Sequence, residues 1–415
     1  MRWFISIRYF LSHKRQSLVC IAGVTISVTM FITMLAMMEG FKDKFIVETV
    51  ESGGHITIHD EPRETRTRIL QRIYSDPNAL LRVDNTKPRD DVKKIKNSAG
   101  LIAQLRRLRG IVAAAPEVDG DVIATWGTKT LNISVLGVEP EQQLRVTTIG
   151  KDMVEGNFNR LRTTADGVII GRGVADLLGA NLNDEISLSS NTGGRTISRV
   201  VGIFATGVTP VDYSRAYMLI NSAQTLLNKK NIVNDIIVRT DDYTKAQGYA
   251  AQIESIAGYK TESWQESNAN FLKIFAIQSL ITYIITGALL VVAAFGVLNI
   301  LIMAVLERVG DIAILKSFGL SRGDITMIYV FQGLMIGLIG TVLGEIIGKL
   351  GVETLRRLPV HVEGLIKSEG ILMSESNSMY ISAFIAAMVI VLLAAVYPAR
   401  RAAKYDPVEV IRGAH

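Results

Sequence analysis

Long stretches without any charged residue constrain the fold of this 415-residue chain more than any other feature. A helix needs about 20 apolar residues to cross a bilayer, and four stretches approach or exceed that length. They are Gln16–Met38, Ile274–Leu306, Ile325–Gly344 and Ser376–Ala399. Backbone N–H and C=O groups in hydrocarbon must bond within their own segment, so these stretches predict four transmembrane α-helices. Buried helices of a soluble core are the alternative, but four such runs are too many for that class of protein.

The distribution of charge predicts the side of the membrane on which each segment lies. Segments 1–16, 307–324 and 400–415 carry 11 Lys or Arg against 5 Asp or Glu, whereas 39–273 carries 30 against 29. Basic residues are enriched in cytoplasmic segments, so we predict a multi-pass protein with cytoplasmic N- and C-termini. This topology accounts for the formal net charge of +6. We therefore expect a lipid membrane, and no nucleic acid, as a partner.

The predicted fold class is a membrane protein of four transmembrane α-helices, with a large α+β extracytoplasmic domain between helices 1 and 2. Short apolar runs such as 131–138 and 197–204 are separated by turn residues, as strands are, and a helical pattern covers 244–256. The predicted segments are a cytoplasmic amphipathic helix 1–16, span 17–38, outer domain 39–273, span 274–306, cytoplasmic coupling helix 307–324, span 325–347, outer loop 348–378, span 379–397 and cytoplasmic tail 398–415.

The second apolar stretch is unusually long. Its 33 residues form a helix of about 50 Å, against roughly 30 Å of hydrocarbon. We interpret the excess as a stalk that projects outward from the membrane, and strong tilt is the alternative.

A polar segment at about 60–110 interrupts the outer domain. Residues 60–109 carry 13 Lys or Arg against 7 Asp or Glu. We interpret it as a solvated helical insertion, with contact to an anionic partner as the alternative.

Neither a catalytic group nor a metal site is predicted from the sequence. The chain has one cysteine, Cys20, and five histidines without metal-binding spacing. It lacks the G-x4-G-K-[ST] loop that binds nucleotide phosphates. Four glycines at helical spacing in the third span predict close packing of membrane helices. They are Gly337, Gly340, Gly344 and Gly348.

The segment between the second and third spans predicts a short amphipathic helix. Asp311 complements a helix start, and Lys316 lies near the end. Ile312, Ile314, Leu315 and Phe318 are expected to form one apolar side. Gly319 is predicted to end the helix in the left-handed conformation, and Ser321 to cap the next helix. Such a helix suits a groove in another protein, and a membrane-surface connector is the alternative.

These residues resemble the permease subunits of MacB/FtsX-type ABC transporters, most closely the lipoprotein-releasing LolC/LolE family. Glu307–Gly319 is similar to the motif E-x-x-x-E-I-A-I-L-K-x-x-G, with Asp311 in place of the second Glu. Tyr397–Ala403 followed by Asp406–Glu409 is similar to the ending YPA-x-x-A-A…P-x-E. The segment Gly167–Gly171 also resembles one that these permeases share.

The resemblance implies a transport subunit without an enzymatic activity of its own. ATP and Mg are expected on a partner, a homodimeric ABC ATPase, which would couple to the chain through one set of residues. These are Glu307, Arg308, Gly310, Asp311, Ile312, Ala313, Ile314, Leu315, Lys316, Phe318 and Gly319. The resemblance also implies a second permease subunit, identical or paralogous, and location in the cell inner membrane, with the outer domain in the periplasm.

Lipoprotein release toward a periplasmic carrier is the function that the resemblance implies. A MacB-like exporter of peptides or drugs and an FtsX-like regulator of a periplasmic hydrolase are the alternatives. The turn at Ser189–Thr196 is shorter than the carrier-binding hook of a LolC-type subunit. Adaptable apolar side chains of the first helix are predicted to contact acyl chains, with plain helix packing as the alternative. They are Met30, Met34, Met37, Met38 and Phe45.

Overall fold

The computed structural model describes residues 2–12, 14–60, 94–359, 370–406 and 408. They divide into two compact units. The membrane unit comprises the described residues up to Lys44 and from Lys273 onward, and the sheet unit comprises Phe45–Leu272.

Helices account for most of the membrane unit and flank the strands of the sheet unit. In chain order they are α1 (Arg2–Ser12), α2 (Lys14–Gly53), α3 (Ser98–Leu105), α4 (Pro140–Val146), α5 (Arg160–Thr163), α6 (Arg172–Leu178), α7 (Thr209–Asp212), α8 (Ile220–Leu226), α9 (Ala246–Ala257), α10 (Trp264–Ser267), α11 (Ala269–Glu307), α12 (Val309–Ser317), α13 (Arg322–Arg356) and α14 (Asn377–Lys404). A short 3₁₀ helix covers Tyr243–Lys245.

Four of these helices, α2, α11, α13 and α14, are long and apolar enough to cross a membrane. The predicted set of four transmembrane helices is therefore confirmed, although each helix extends beyond the apolar span from which it was predicted. The largest difference is at α2, which continues to Gly53 although its span was predicted to end at residue 38. Helix α13 likewise continues to Arg356, into the outer loop predicted from residue 348. A helix does not have to end where its apolar stretch ends, and Glu353 pairs with Arg357 one turn later at 2.6 Å.

Close contacts between α2 and α13 depend on glycine. Cβ atoms built on the four predicted glycines would lie 2.7–3.2 Å from a side-chain atom of a neighbouring helix: Gly337 near Val391, Gly340 near Val24, Gly344 near Val28 and Gly348 near Ile32. Two threonines of α2 donate hydrogen bonds across this close contact to main-chain oxygens of α13. Thr25 Oγ1 donates to Gly340 O at 3.1 Å, and Thr29 Oγ1 donates to Gly344 O at 3.2 Å. The predicted small-residue packing is confirmed.

The sheet unit is built on ten strands of one mixed sheet. They are β1 (Ile56–His59), β2 (Ile111–Trp126), β3 (Lys129–Val138), β4 (Met153–Gly156), β5 (Gly167–Gly171), β6 (Glu185–Ser190), β7 (Arg195–Phe204), β8 (Arg215–Leu219), β9 (Asp235–Thr240) and β10 (Lys260–Ser263). Their order is β10-β1-β9-β2-β3-β8-β5-β7-β4, with β6 pairing to β2 and β7. The pairs β3–β8 and β5–β7 are parallel and the others antiparallel, so the predicted α+β class is confirmed.

Part of the predicted polar insertion belongs to the core of the sheet unit. Residues 61–93 of that segment lie outside the described ranges. Helix α3 follows, and its side chains Leu101, Ile102 and Leu105 are buried against β1 and β9. The interpretation of this portion as a solvated insertion is wrong, because the 3.6-residue spacing of these apolar residues forms a face that packs inward.

Candidate functional site

The predicted coupling segment contains α12, called here the connecting helix, which joins α11 to α13 without a long loop. Arg308, at φ −119° and ψ 21°, separates it from α11. Gly319 ends it with φ +96°, a conformation that glycine adopts without a Cβ penalty. Ser321 and Asp324 then form a reciprocal capping box at the start of α13. The left-handed Gly319 and the Ser321 cap both agree with the sequence prediction.

The apolar residues of the connecting helix do not share one side. Ile312 and Ala313 are each 1% exposed and pack with residues of α11, α13 and α14. Ile314 and Phe318 point away from this core and are 51% and 80% exposed. The expectation of a single apolar side is wrong. Almost every turn of this short helix carries an aliphatic residue, so tertiary packing selects the buried side.

The exposed residues lie on one face, called here the outward face. It consists of Gly310, Asp311, Ile314, Ser317 and Phe318, which recur every three or four residues as one side of an α-helix does. An isolated pair of large apolar side chains beside a carboxylate is typical of a helix that binds in the groove of a partner. The opposite side, called here the inward face, contains the buried residues Ile312 and Ala313. It holds the helix in place while the outward face stays accessible.

Lys316 joins the connecting helix to the last membrane helix. Its Nζ donates to the main-chain oxygens of Ala403 at 3.0 Å and Tyr405 at 2.6 Å. These residues form the carboxyl end of α14, where main-chain oxygens lack partners within the helix and the helix dipole is negative. The sequence prediction placed Lys316 near the end of its own helix and missed this contact, whose partners are 87 and 89 residues away.

Helix α1 also contacts the connecting segment, which the sequence prediction did not include. The Arg308 guanidinium lies 4.0 Å from the centre of the Tyr9 ring, a cation–π geometry. Ser6 Oγ donates to Ile328 O at 3.0 Å, and Trp3 stacks on Phe331 with ring centres 3.9 Å apart. Burial, and after it the carboxylate of Asp311, raises the pKa of Tyr9. Helix α1 is therefore fixed beside the site.

The remaining coupling residues predicted from the sequence lie around this helix. Glu307 ends α11 and is exposed, whereas Leu315 is partly buried against the same core as Ile312. The predicted coupling set is thus brought together in space, but only part of it is accessible.

The five residues predicted to contact acyl chains separate into two groups. Met30 and Met37 are 49% and 48% exposed, and Met34 is half-buried on the same side of α2. Met38 is 5% exposed and Phe45 is 3% exposed. The Phe45 ring lies 5.1 Å from that of Phe271 within the sheet unit. Helix and ring packing explain the two buried residues, so only the first three offer a surface to an apolar ligand.

Within the described ranges, no group of three His, Cys, Asp or Glu side chains has the arrangement of a metal site. Cys20 is buried in the membrane unit.

Comparison with known proteins identifies both halves of the chain. A family model described as MacB-like periplasmic core domain matches residues 17–256, and one described as FtsX-like permease C-terminal matches residues 269–407. The chain is 26% identical to the lipoprotein-releasing system transmembrane protein LolC of Neisseria meningitidis, over 99% of this chain and 98% of that protein.

Two further relatives belong to different branches. LolE of Haemophilus influenzae, also named a lipoprotein-releasing system transmembrane protein, is 25% identical over 99% of this chain and 98% of its own length. The macrolide export ATP-binding/permease protein MacB of Hahella chejuensis is 26% identical over 96% of this chain, which spans 58% of that relative.

Proposed function

Because the chain belongs to the family of ABC transporter permeases with a MacB-like periplasmic core domain and an FtsX-like C-terminal region, we propose that it couples ATP hydrolysis on a partner to the release of lipoproteins. In this proposal the chain lies in the inner membrane with both termini in the cytoplasm and the sheet unit in the periplasm. The end-to-end similarity to LolC and LolE supports lipoproteins as the cargo.

The observation that carries the proposal is the two-sided connecting helix. Ile312 is held in the core of the membrane unit, whereas Ile314 and Phe318 are exposed. A partner that binds the outward face would therefore pull on a helix that cannot slide independently of its neighbours. We propose that this partner is a homodimeric ABC ATPase, which holds ATP and Mg. The connecting helix would bind in a groove on the surface of the ATPase.

Three kinds of connection would carry a displacement of the connecting helix through the membrane unit. The chain itself leads into α11 and α13. Lys316 holds the end of α14, and Arg308 contacts Tyr9 of α1. Rigid helices with discrete contacts transmit motion better than flexible loops do. Helices α2 and α11 each continue without a break past residues 44 and 273, where the units divide.

Other parts of the proposal concern cargo and further partners. We propose that Met30, Met34 and Met37 contact acyl chains, because flexible thioether side chains fit varied apolar ligands. A second permease subunit, identical or paralogous, would complete the membrane core. The hairpin between β6 and β7 closes at Ser190 and Gly194, so this chain offers a carrier a short turn.

A reconstituted system tests the proposal. Proteoliposomes would contain the chain, its ATPase, any second permease subunit and a triacylated lipoprotein, with a soluble carrier outside. We expect ATP-dependent transfer of the lipoprotein to the carrier. Transfer of a macrolide or peptide in its place would favour the MacB-like alternative. ATP-dependent activation of an added periplasmic hydrolase without any transfer would favour the FtsX-like one.

The outward face is tested in the same vesicles with two matched variants. Ile314→Asp is expected to reduce ATPase binding and transfer at least tenfold. Ile256→Asp on α9 changes an isoleucine of similar exposure, 49% against 51%, and is expected to leave both unchanged. Equal activity of the two variants would rule out the outward face as the docking site.

A further inference from the structure

A cavity of about 290 Å³ lies within the sheet unit, where helices α2 and α11 enter that unit. The last turn of α2 and the first turn of α11 form part of its wall, together with β1, α7 and α10. Since an apolar cavity of about 150 Å³ holds benzene, this volume suits a ligand of roughly ten to twelve non-hydrogen atoms. The proposed transport activity assigns no role to it.

The wall of the cavity is mainly apolar and lacks negative charge. Aromatic and aliphatic side chains form one part of it: Val208, Pro210, Val211, Trp264 and Phe271. The Trp264 indole is fixed in place, because its Nε1 donates to Tyr243 O at 2.8 Å. Among the described residues that line the cavity there is no Asp or Glu. Such a surface suits an apolar chain or ring.

Arg215 of β8 supplies the charge of the cavity. It is partly buried, and its guanidinium interacts with the hydroxyl of Tyr217. Within the described ranges Arg215 forms no ion pair. A guanidinium has five N–H donors and accepts no hydrogen bond, so Arg215 keeps donors available to an anionic ligand.

The carboxyl groups nearest in the sheet do not take up these donors. Glu117 of β2 accepts a hydrogen bond from Gln143 and stands opposite Asp235 in the strand register. Burial raises the pKa of Glu117 to about 8, so this carboxyl is protonated at pH 7 and carries no charge to balance Arg215. Asp119 accepts a hydrogen bond of 2.6 Å from Ser134 Oγ. None of the three forms an ion pair with Arg215.

His55 of the segment before β1 supplies a second kind of donor. It is 5% exposed and lines the cavity. Thr240 N lies 3.1 Å from Nδ1, and since a main-chain N–H can only donate, Nδ1 accepts. Burial lowers the pKa of His55 to about 4, so the ring is neutral at pH 7 and carries its proton on Nε2. That N–H has no acceptor among the described residues, although buried donors almost always have one.

We propose that the cavity binds a carboxylate that carries an apolar tail, as a medium-chain fatty acid does. The planar fork of Arg215 matches a carboxylate, and His55 adds a further donor. One guanidinium beside a neutral imidazole balances a single negative charge, which favours a carboxylate over a doubly charged phosphate. Acyl chains bound as esters or amides carry no such charge, so this ligand differs from the proposed lipoprotein cargo.

Quenching of tryptophan fluorescence by a brominated ligand tests the site in the full chain in detergent. Trp3→Phe and Trp126→Phe leave Trp264, in the cavity wall, as the only tryptophan of the protein. We expect ω-bromooctanoate to quench Trp264 saturably, with half-saturation at roughly 0.1–1 mM. The alcohol ω-bromooctanol enters detergent as readily but lacks the charge, and it should not saturate. Equal quenching by the two compounds, or quenching by the acid that stays linear to about 10 mM, would overturn the proposal.

Two pairs of variants locate the binding. Arg215→Gln should weaken it about tenfold or more, whereas Arg239→Gln, an arginine of similar burial outside the cavity, should change it by about twofold at most. Gly53 lines the cavity, and a Cβ there meets no atom within 4 Å. Gly53→Leu therefore fills part of the cavity without a clash and should also weaken binding about tenfold.

The matched control for the second pair is Gly248→Leu on α9, where a Cβ also meets no atom within 4 Å and no part of the cavity lies. It should bind like the native protein. The Gly53→Leu pair tests the site even if Arg215→Gln does not fold. Native affinity in a folded Arg215→Gln or Gly53→Leu protein would contradict the assignment.

Competition with unlabelled compounds tests the two parts of the ligand separately. Octanoate should displace the brominated acid about tenfold better than hexanoate, because two further methylene groups are buried. Octyl phosphate should compete more weakly than octanoate, and the reverse order would overturn the choice of a carboxylate. These titrations need no ATPase, lipoprotein or carrier. Their outcome is therefore independent of the proposed transport function.

Discussion

The membrane unit and the sheet unit satisfy their buried polar groups in different ways. In the membrane unit, side chains such as Thr25 and Lys316 donate to main-chain oxygens of neighbouring helices. In the sheet unit, buried Glu117 and Gln143 face other side chains. The first arrangement depends on how closely backbones approach, and the second depends on charge. Substitutions that change size should therefore affect the membrane unit most, and pH should act on the sheet unit.

The largest expected effect is at the inward face of the connecting helix. Ile312→Asp places a carboxylate among Val305, Ile325 and Ile328, where the native side chain is 1% exposed. Loss of apolar burial together with burial of a charge should lower the free energy of unfolding by about 3–5 kcal/mol. Ile314→Asp, on the outward face, should change it by about 0.5 kcal/mol or less. Thermal unfolding of the purified proteins measures the difference, and equal melting temperatures would show that the two faces are not distinct.

The second largest loss of stability is expected at Gly344, where α13 contacts α2. Gly344→Leu introduces a Cβ only 2.7 Å from that of Val28, so the helices must separate or the side chain must distort. We expect a loss of about 3 kcal/mol and reduced yield of folded protein. Gly296→Leu is the control, because a Cβ there meets no atom within 4 Å. Similar yields for both variants would show that close backbone approach does not limit packing here.

The four spans, the left-handed Gly319 and the Ser321 cap could be predicted from the sequence because they depend on local patterns. Charge-free length is enough to place a span, and Gly319 and Ser321 have conformational preferences of their own. The side on which Ile314 lies depends on packing that a short, aliphatic helix does not encode. The partners of Lys316 and the group formed by Glu117, Gln143 and Asp235 come from distant parts of the chain. Only the order of helices and strands brings them together.

The contact of Lys316 with the end of α14 should contribute less than helix packing does. Lys316→Met keeps the length of the side chain and removes two charge-assisted hydrogen bonds, for an expected cost of about 2 kcal/mol. Hydrogen exchange should accelerate at the last turn of α14 and remain unchanged in the middle of α13. Lys316→Arg should restore most of the protection. If the exchange rates of Lys316→Met and the native protein coincide at that turn, the contact does not hold the helix end.

The smallest expected effect, taken for a change of one pH unit, is the response of the sheet unit to pH. The folded-state pKa of Glu117 is about 8, above its ordinary value of 4.5, so the folded chain binds more protons than the unfolded chain between these values. The contribution of Glu117 to stability is therefore present at low pH and is lost as pH rises through this window, by about 1 kcal/mol per pH unit.

Comparison of the native protein with Glu117→Gln isolates that contribution from other titrating groups. His55 acts with the opposite sign, since burial lowers its pKa to about 4 and its contribution grows as pH rises from about 4 to 6.5. Hydrogen exchange of β2 amides, followed from pH 5 to 8 and corrected for the intrinsic rate, should show Glu117→Gln gaining protection relative to the native protein. Amides of α13 should show no such gain. A pH-independent difference at β2, or an equal gain at α13, would mean that charge pairing does not distinguish the sheet unit from the membrane unit.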